Sequence, residues 1–182
     1  MTCISTERLE LRLWDLADVA ALHALWTDAQ VRRFLWDGDV IPLEKAEEVV
    51  RAGIASFERH GFGFWGVREK GREDLVGFAG FRFVEPGGDV EIVYGVDPGL
   101  RGRGYATEAA AALLEWAFRE TALTEVFAGA DAPNHASLRV MEKLEMRYHG
   151  PRPTPAGEAV YWVIDREAFL TGDQIPRPSA SE

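Results

Sequence analysis

Cysteine is almost missing from this 182-residue chain, with Cys3 alone. It has no second thiol for an internal disulfide and no partner for a thiolate metal cluster. Asparagine is equally scarce, represented by Asn134, and lysine is limited to Lys45, Lys70 and Lys143. Arginine supplies the rest of the positive charge, a bias that heat adaptation and a GC-rich genome explain equally well. No apolar run approaches the ~18 residues of a membrane-spanning helix. Met1 to Arg8 carry no apolar signal core, so a cytoplasmic protein with nothing to cleave is expected. Basic residues are in deficit, and the net charge is -10. That disfavours nucleic acid, which needs a broad basic face for counterion release, and anionic membrane for the same reason. The histidines (His23, His60, His135 and His149) show no metal-helix spacing, so no metal is expected.

What is present is ordinary for a folded soluble chain: 47% hydrophobic and 27% charged residues, which excludes whole-chain disorder. The length suits one domain, expected over residues 1–171, with a Pro- and Ser-containing tail at 172–182 expected to be disordered. Arg8 to Leu13 alternates polar and apolar residues as a half-buried strand does. Asp15 is a candidate N-cap for a helix over Leu16 to Trp26. The stretch Phe34-Leu35-Trp36-Asp37-Gly38 reads as a loop, and Pro42 to His60 as a second helix. Strands follow over Gly63 to Arg68, Leu75 to Val84 and Val90 to Val96, joined by turns at Lys70–Asp74 and Glu85–Asp89. Short turns between successive strands predict an antiparallel meander. Beyond it, a long helix runs to Glu120, then a strand over Glu125–Gly129, a helix over Asn134–Leu144 and a strand over Ala159–Ile164. Pro151, Pro153 and Pro155 break the segment before the last strand. The class is α+β.

Chemistry concentrates where the third meander strand meets the long helix, at Asp97-Pro98-Gly99-Leu100-Arg101-Gly102-Arg103-Gly104-Tyr105-Ala106-Thr107. Free amides at a helix start, together with the positive end of its dipole, make an anion site. Glycines let the backbone approach a phosphate closely. Arg101 and Arg103 add positive charge there in a chain that is otherwise acidic. A nucleotide P-loop would need Gly-Lys-Ser/Thr, which is absent. A dinucleotide fingerprint would need a third glycine where Thr107 stands, and repeated parallel βαβ units where a meander stands.

Arg101-x-x-Gly104-x-Ala106 fits the Arg/Gln-x-x-Gly-x-Gly/Ala signature, and on it the chain resembles the GNAT acetyltransferase superfamily. It is most similar to the branch containing the RimJ and RimL ribosomal-protein N-acetyltransferases. Arg8 to Arg12, Trp26-Thr27-Asp28, Leu75 to Gly80 and Asn134 to Leu144 match that branch in order, so the resemblance covers roughly residues 6 to 170. It implies a mixed sheet flanked by helices, in which the meander runs into a splayed parallel strand pair. It also implies acetyl-CoA as co-substrate and an amine acceptor, either a small molecule or a protein N-terminus; homodimers are common among such proteins. A non-catalytic acyl-CoA sensor is the alternative function.

Carried over residue by residue, the resemblance implies that Tyr94, Gly95 and Val96 bind pantetheine through their backbone. Arg101, Gly102, Arg103, Gly104, Tyr105, Ala106 and Thr107 would hold the pyrophosphate, and Asn134 would contact the pantetheine arm. Aminolysis of a thioester needs a proton acceptor for the amine, a donor for the developing oxyanion and help for the leaving thiolate. Glu91, on the strand feeding the loop, is the leading base, with Asp28 and Glu108 as weaker alternatives. Many relatives place a tyrosine for the thiolate where Met141 stands here, so Ser137 takes that role. Glu145-Met146 replaces a common glycine–aromatic pair, which predicts a different helix exit. Trp26, Phe34, Trp36 and Trp65 either line an acceptor cleft or pack in the core.

Overall fold

The computed structural model describes residues 3–84, 88–154 and 157–171. Residues 85–87 of the expected turn, the break expected at Pro155 and the tail expected to be disordered lie outside these residues, while Asp89, expected in that turn, opens a strand. Strand β1 (Cys3–Ser5) pairs with β2 (Leu9–Leu13), whose Leu9 and Leu11 point into the core. Asp15 caps the next segment as its sequence suggests, accepting from the Ala17 amide at 2.6 Å. The first turn is 3-10 (Leu16–Asp18) before α1 (Val19–Thr27) begins. A further helix, α2 (Ala29–Leu35), precedes the expected loop and takes in its first two residues, Phe34 and Leu35. Asp28 starts it by accepting from the Gln30 amide at 2.8 Å. Helix α3 (Leu43–His60) follows Pro42 and ends on Gly61 in the left-handed conformation.

Strands β3 (Phe64–Glu69), β4 (Leu75–Val84) and β5 (Asp89–Val96) form the expected antiparallel meander with β2. Helix α4 (Tyr105–Glu120) then crosses to β6 (Glu125–Ala130), and α5 (His135–Lys143) leads on to the C-terminal strands. These are β7 (Arg147–Thr154) and β8 (Gly157–Asp165), after which comes the short α6 (Arg166–Thr171). β7 contains Pro151 and Pro153, which were expected to break the chain. It escapes that rule because it lies at the sheet edge, where a missing N–H costs no ladder bond. Among the described residues the sheet runs β1-β2-β3-β4-β5-β6-β8-β7.

Alternation sorts the sheet's two faces. On one, Val90, Ile92 and Phe81 pack against α4 through Ala109, Ala110, Leu113, Leu114 and Ala117. Small residues on that stripe bring the helix close to the strands. On the other face, Phe64, Phe78 and Val93 meet Trp14, Trp26 and Val50 from the α1–α3 layer. Trp14 stacks on Phe64 with ring centroids 4.5 Å apart, so aromatic area dominates this half of the core. Trp26 and Trp65 are fully buried core residues. Trp36 packs against the same cluster, and of the four aromatics Phe34 lines the cleft described below.

A buried ion pair ties the α1 layer to the sheet. Arg68 on β3 donates to Asp18, whose second oxygen accepts from the Asp15 amide at 3.2 Å. Removing one partner of such a pair leaves an uncompensated charge away from water. Asp18→Ala should therefore lower unfolding stability by about 3 kcal/mol, as measured by urea denaturation. A loss below about 0.5 kcal/mol, the scale of an exposed pair, would contradict this reading.

Candidate active site

β5 and β6 are the parallel pair, and they are in register at Glu91↔Phe127. Beyond that point β5 pairs with β4 through Val96 while β6 pairs with β8. The strands part toward their C-terminal ends, and a cleft of about 1110 Å³ opens there. β5, the loop after it, the start of α4, and α2, α5, β7 and β8 all contribute to its walls.

The loop is shaped by its own polar groups. Asp97 accepts from the Gly99 amide at 2.7 Å and the chain makes one 3-10 turn, Pro98–Leu100. Gly104 is the N-cap of α4 at φ 82, a conformation that costs glycine little, and no side chain caps the helix there. The Glu108 amide donates back to the Gly104 carbonyl at 3.0 Å, whereas the amides of Tyr105, Ala106 and Thr107 precede the first intrahelical bond. Gly102, Gly104, Tyr105, Ala106 and Thr107 all line the cleft, as do Tyr94, Gly95 and Val96 on β5.

The two arginines behave differently. Arg101 lines the cleft and donates from Nη1 to Gln30 Oε1 at 3.1 Å and from Nη2 to the Gln30 carbonyl at 3.2 Å, latching the loop to α2. Arg103 is not among the lining residues. Its Nη1 lies 3.9 Å from Glu69, and its carbonyl accepts from Arg8 Nη1 at 2.9 Å. Tyr105 sends its hydroxyl to the same Glu69, so it offers the cleft its backbone. The Tyr105 bond is the leading cause that holds the Glu69 carboxyl below its ordinary pKa.

Arg8 is a cationic neighbour of this loop that the spacing did not single out. Its guanidinium pairs with Glu108 at 2.6 Å and lies over the Tyr105 ring. Glu108 also accepts from Thr6 at 2.5 Å and from the Arg8 amide at 2.9 Å. Burial pushes the Glu108 pKa up, but these bonds outweigh it and hold the carboxyl below its ordinary range. Glu108 thus fastens the N-terminal segment to α4, and Asp28 caps α2. Neither lines the cleft, which leaves Glu91 as the carboxylate of the three that does.

Glu91 is buried, only 4% exposed, and its Oε1 accepts from Arg82 Nε at 2.6 Å. The pair lies directly across the β4–β5 ladder, on the face opposite α4. At the other wall, Asn134 caps α5 by accepting from the Ser137 amide at 3.2 Å. The Ser137 and Tyr94 hydroxyls lie 3.1 Å apart, and Tyr94 also donates to the Ser137 carbonyl at 3.2 Å. Burial pushes the Tyr94 phenol up to about 12, with the Ser137 bond acting against it. This side-chain role for Tyr94 was not anticipated, since its backbone alone was considered. Met141, on α5, is fully buried in the core and does not line the cleft. At the helix exit Glu145, standing where the resemblance calls for glycine, takes a positive φ of 58. The backbone cost of that substitution is about 1 kcal/mol.

The site is an open helix N-terminus at the mouth of two parted strands, with a buried carboxylate on one wall and a hydroxyl pair on the other. Residues 8–147 match the acetyltransferase (GNAT) domain family. The chain belongs to that family and is an acetyltransferase, and members of the family use acetyl-CoA. It is 29% identical over 147 residues to the uncharacterized N-acetyltransferase YnaD of Bacillus subtilis, covering 81% of this chain and 84% of the relative. The crystal structure of a GNAT-family acetyltransferase from Bacillus anthracis superposes with a TM-score of 0.77 at 28% identity, over 91% of this chain and 99% of that one. RimL, the ribosomal L7/L12 alpha-N-protein acetyltransferase in complex with coenzyme A, shares the fold. Its TM-score is 0.78 at 20% identity, over 90% of this chain and 98% of that one.

Tyr94→Phe removes the bond between β5 and α5 while keeping the ring. It should cost about 1 kcal/mol of stability and delete the phenol that resists ionisation longest in an ultraviolet pH titration. An unchanged titration curve would show that another tyrosine carries the raised value.

Proposed function

We propose that this protein transfers the acetyl group of acetyl-CoA to a primary amine, a protein N-terminus or a small molecule, by direct attack of the amine on the thioester. The observation that carries this reading is the single register pair Glu91↔Phe127, after which β5 turns its backbone to a cleft large enough for an extended co-substrate. The backbone of Tyr94, Gly95 and Val96, which lines the cleft, would bond the pantetheine arm as a further strand would. Amides of Gly102 to Thr107 and the side chain of Arg101 would hold the pyrophosphate. Arg103 joins through its main chain, since its guanidinium is turned to Glu69. The geometry fits this ligand on its own terms: the α4 terminus has no side-chain cap and opens into the cleft.

Three chemical requirements fall to three parts of the chain. Glu91 takes the proton that the amine sheds, directly or through water, and the Arg82 guanidinium compensates its charge in the buried setting. A backbone amide of the splayed β5 donates to the thioester oxygen as negative charge develops there. Ser137 contacts the leaving sulfur, and Tyr94 behind it relays a hydrogen bond. Asn134 orders this corner by capping α5 and also lines the cleft beside Ser137. On the acceptor side Val31, Phe34 and Leu35 form an apolar wall. That wall suits an acceptor with an apolar portion beside its amine; a protein N-terminus is one such class, and RimL, whose fold this chain shares, is a protein alpha-N-acetyltransferase.

Coenzyme A release, followed with acetyl-CoA and a panel of primary amines and N-terminal peptides, should reveal turnover on part of the panel. Tight acetyl-CoA binding with no turnover anywhere would overturn the reading. Ser137→Ala should lower kcat roughly 10²-fold with acetyl-CoA affinity unchanged. Arg101→Ala should instead weaken acetyl-CoA binding, by about 10-fold for a lost charge-assisted contact, and leave the saturated rate nearly intact.

A further inference from the structure

Glu91 is held by Arg82 at one oxygen only, which does not by itself fix the plane of its carboxylate. The neighbouring strands carry a second candidate. On β6, two residues beyond the Glu91↔Phe127 pair and on the same face, stands Gly129, and its partner across the β6–β8 ladder is Tyr161. A Cβ at Gly129 would come within 2.7 Å of Tyr161 Cζ, with the two Cε atoms at 3.0 and 3.1 Å. The hydroxyl-bearing end of the ring therefore lies over the glycine, across β6, and any side chain there would displace it. Arg152 of β7 backs the ring, its Cζ 5.0 Å from the Tyr161 centroid and 4.4 Å from that of Phe127. Asp89 fixes that guanidinium at 2.8 Å and His149 lies 3.0 Å from it. Tyr161 is almost fully buried yet lines the cleft together with Glu91, Arg82 and Arg152.

We infer that Tyr161 is a positioning residue for Glu91: its hydroxyl, carried across β6 by the gap at Gly129, donates to the carboxylate and keeps it turned toward the acceptor amine. The inference rests on the reading of Glu91 as proton acceptor. With Arg82 at one oxygen and Tyr161 at the other, the carboxylate has two anchors and keeps one free lone-pair direction on each oxygen for the amine. Burial raises the Tyr161 pKa, and the Glu91 charge and its hydrogen bond add to that, against the opposing pull of Arg82 and Arg152. A phenol that stays protonated remains a donor throughout the working pH range.

The test uses the full chain labelled with 13Cζ-tyrosine and titrated by NMR, which needs no acceptor. The resonance missing from Tyr161→Phe should titrate above the ordinary tyrosine value of ~10, and in Glu91→Gln it should move down toward that value. A Tyr161 resonance that titrates identically with and without the Glu91 charge overturns the inference, whatever the protein acetylates. In parallel, turnover on the most reactive amine of the panel should fall about 10-fold in Tyr161→Phe, with the KM for acetyl-CoA unchanged. Combined with Glu91→Gln, the second substitution should add nothing, because both act through one carboxylate. If Glu91→Gln alone is as fast as wild type, the base assignment fails; if it is slow and Tyr161→Phe is fast, the positioning role alone fails.

Discussion

The parting of β5 from β6 is the constraint on which the rest of this molecule depends. A parallel ladder that continued past Glu91 would bury the backbone groups of Val93 to Val96 in pairing and leave no room between the strands. The strands instead have other commitments: β5 follows β4 to Val96, and β6 is taken by β8 from Glu125 to Ala130. Each is paired on one side, and the other sides face each other across the cleft. An extended, amide-bearing ligand can pair along such an edge as a further strand does, whereas a compact one cannot.

Around that gap the chain places its polar groups according to which face of β5 they leave from. Tyr94 projects toward α4 and α5 and meets Ser137, whereas Glu91 projects to the opposite face and meets Arg82. Strand alternation thus puts Tyr94, which backs the proposed sulfur contact Ser137, and Glu91, the proposed proton acceptor, on opposite faces of β5, three residues apart. A thioester carbonyl lying along β5 has these two chemistries on either side of it. The Arg101–Gln30 contact and the Arg8–Glu108 pair then hold the loop and the start of α4 against neighbouring segments, so the anion-facing amides are set before any ligand arrives.

Much of this was readable in residues alone, for reasons that can be stated position by position. The meander was legible because period-two alternation and short turns are local signals, and the start of α4 because glycines mark where left-handed backbone is required. Asp15 was legible as a cap for the same local reason, whereas the capping role of Asn134 emerges only from the structure. Helix α2 was not legible, since Leu35 and Trp36 are apolar for contacts with the Trp14–Trp26–Phe78 cluster, and Phe34 for its place at the cleft, not for any helical period of their own. β7 was hidden by its prolines, which report that a strand is at an edge only when the sheet order is known. The diverging aims of Arg101 and Arg103, two residues apart in one loop, depend on Gln30 and Glu69 from distant parts of the chain.

The strand hidden by its prolines turns out to matter for the candidate chemistry. Between Pro151 and Pro153 stands Arg152, half-enclosed and braced by Asp89, with Phe127 and Tyr161 beneath it. A guanidinium stacked on two rings keeps those rings in place and screens them from bulk water at the cleft rim. Proline on either side removes two N–H groups that would otherwise invite a further strand at this edge. The same feature that obscured β7 in the sequence therefore serves the site, keeping the sheet edge unpaired while Arg152 covers the ring over Gly129. What the fold contributes to chemistry here is less a set of reactive groups than a set of exclusions: a strand that may not pair, a glycine that admits a ring, and an edge that cannot extend.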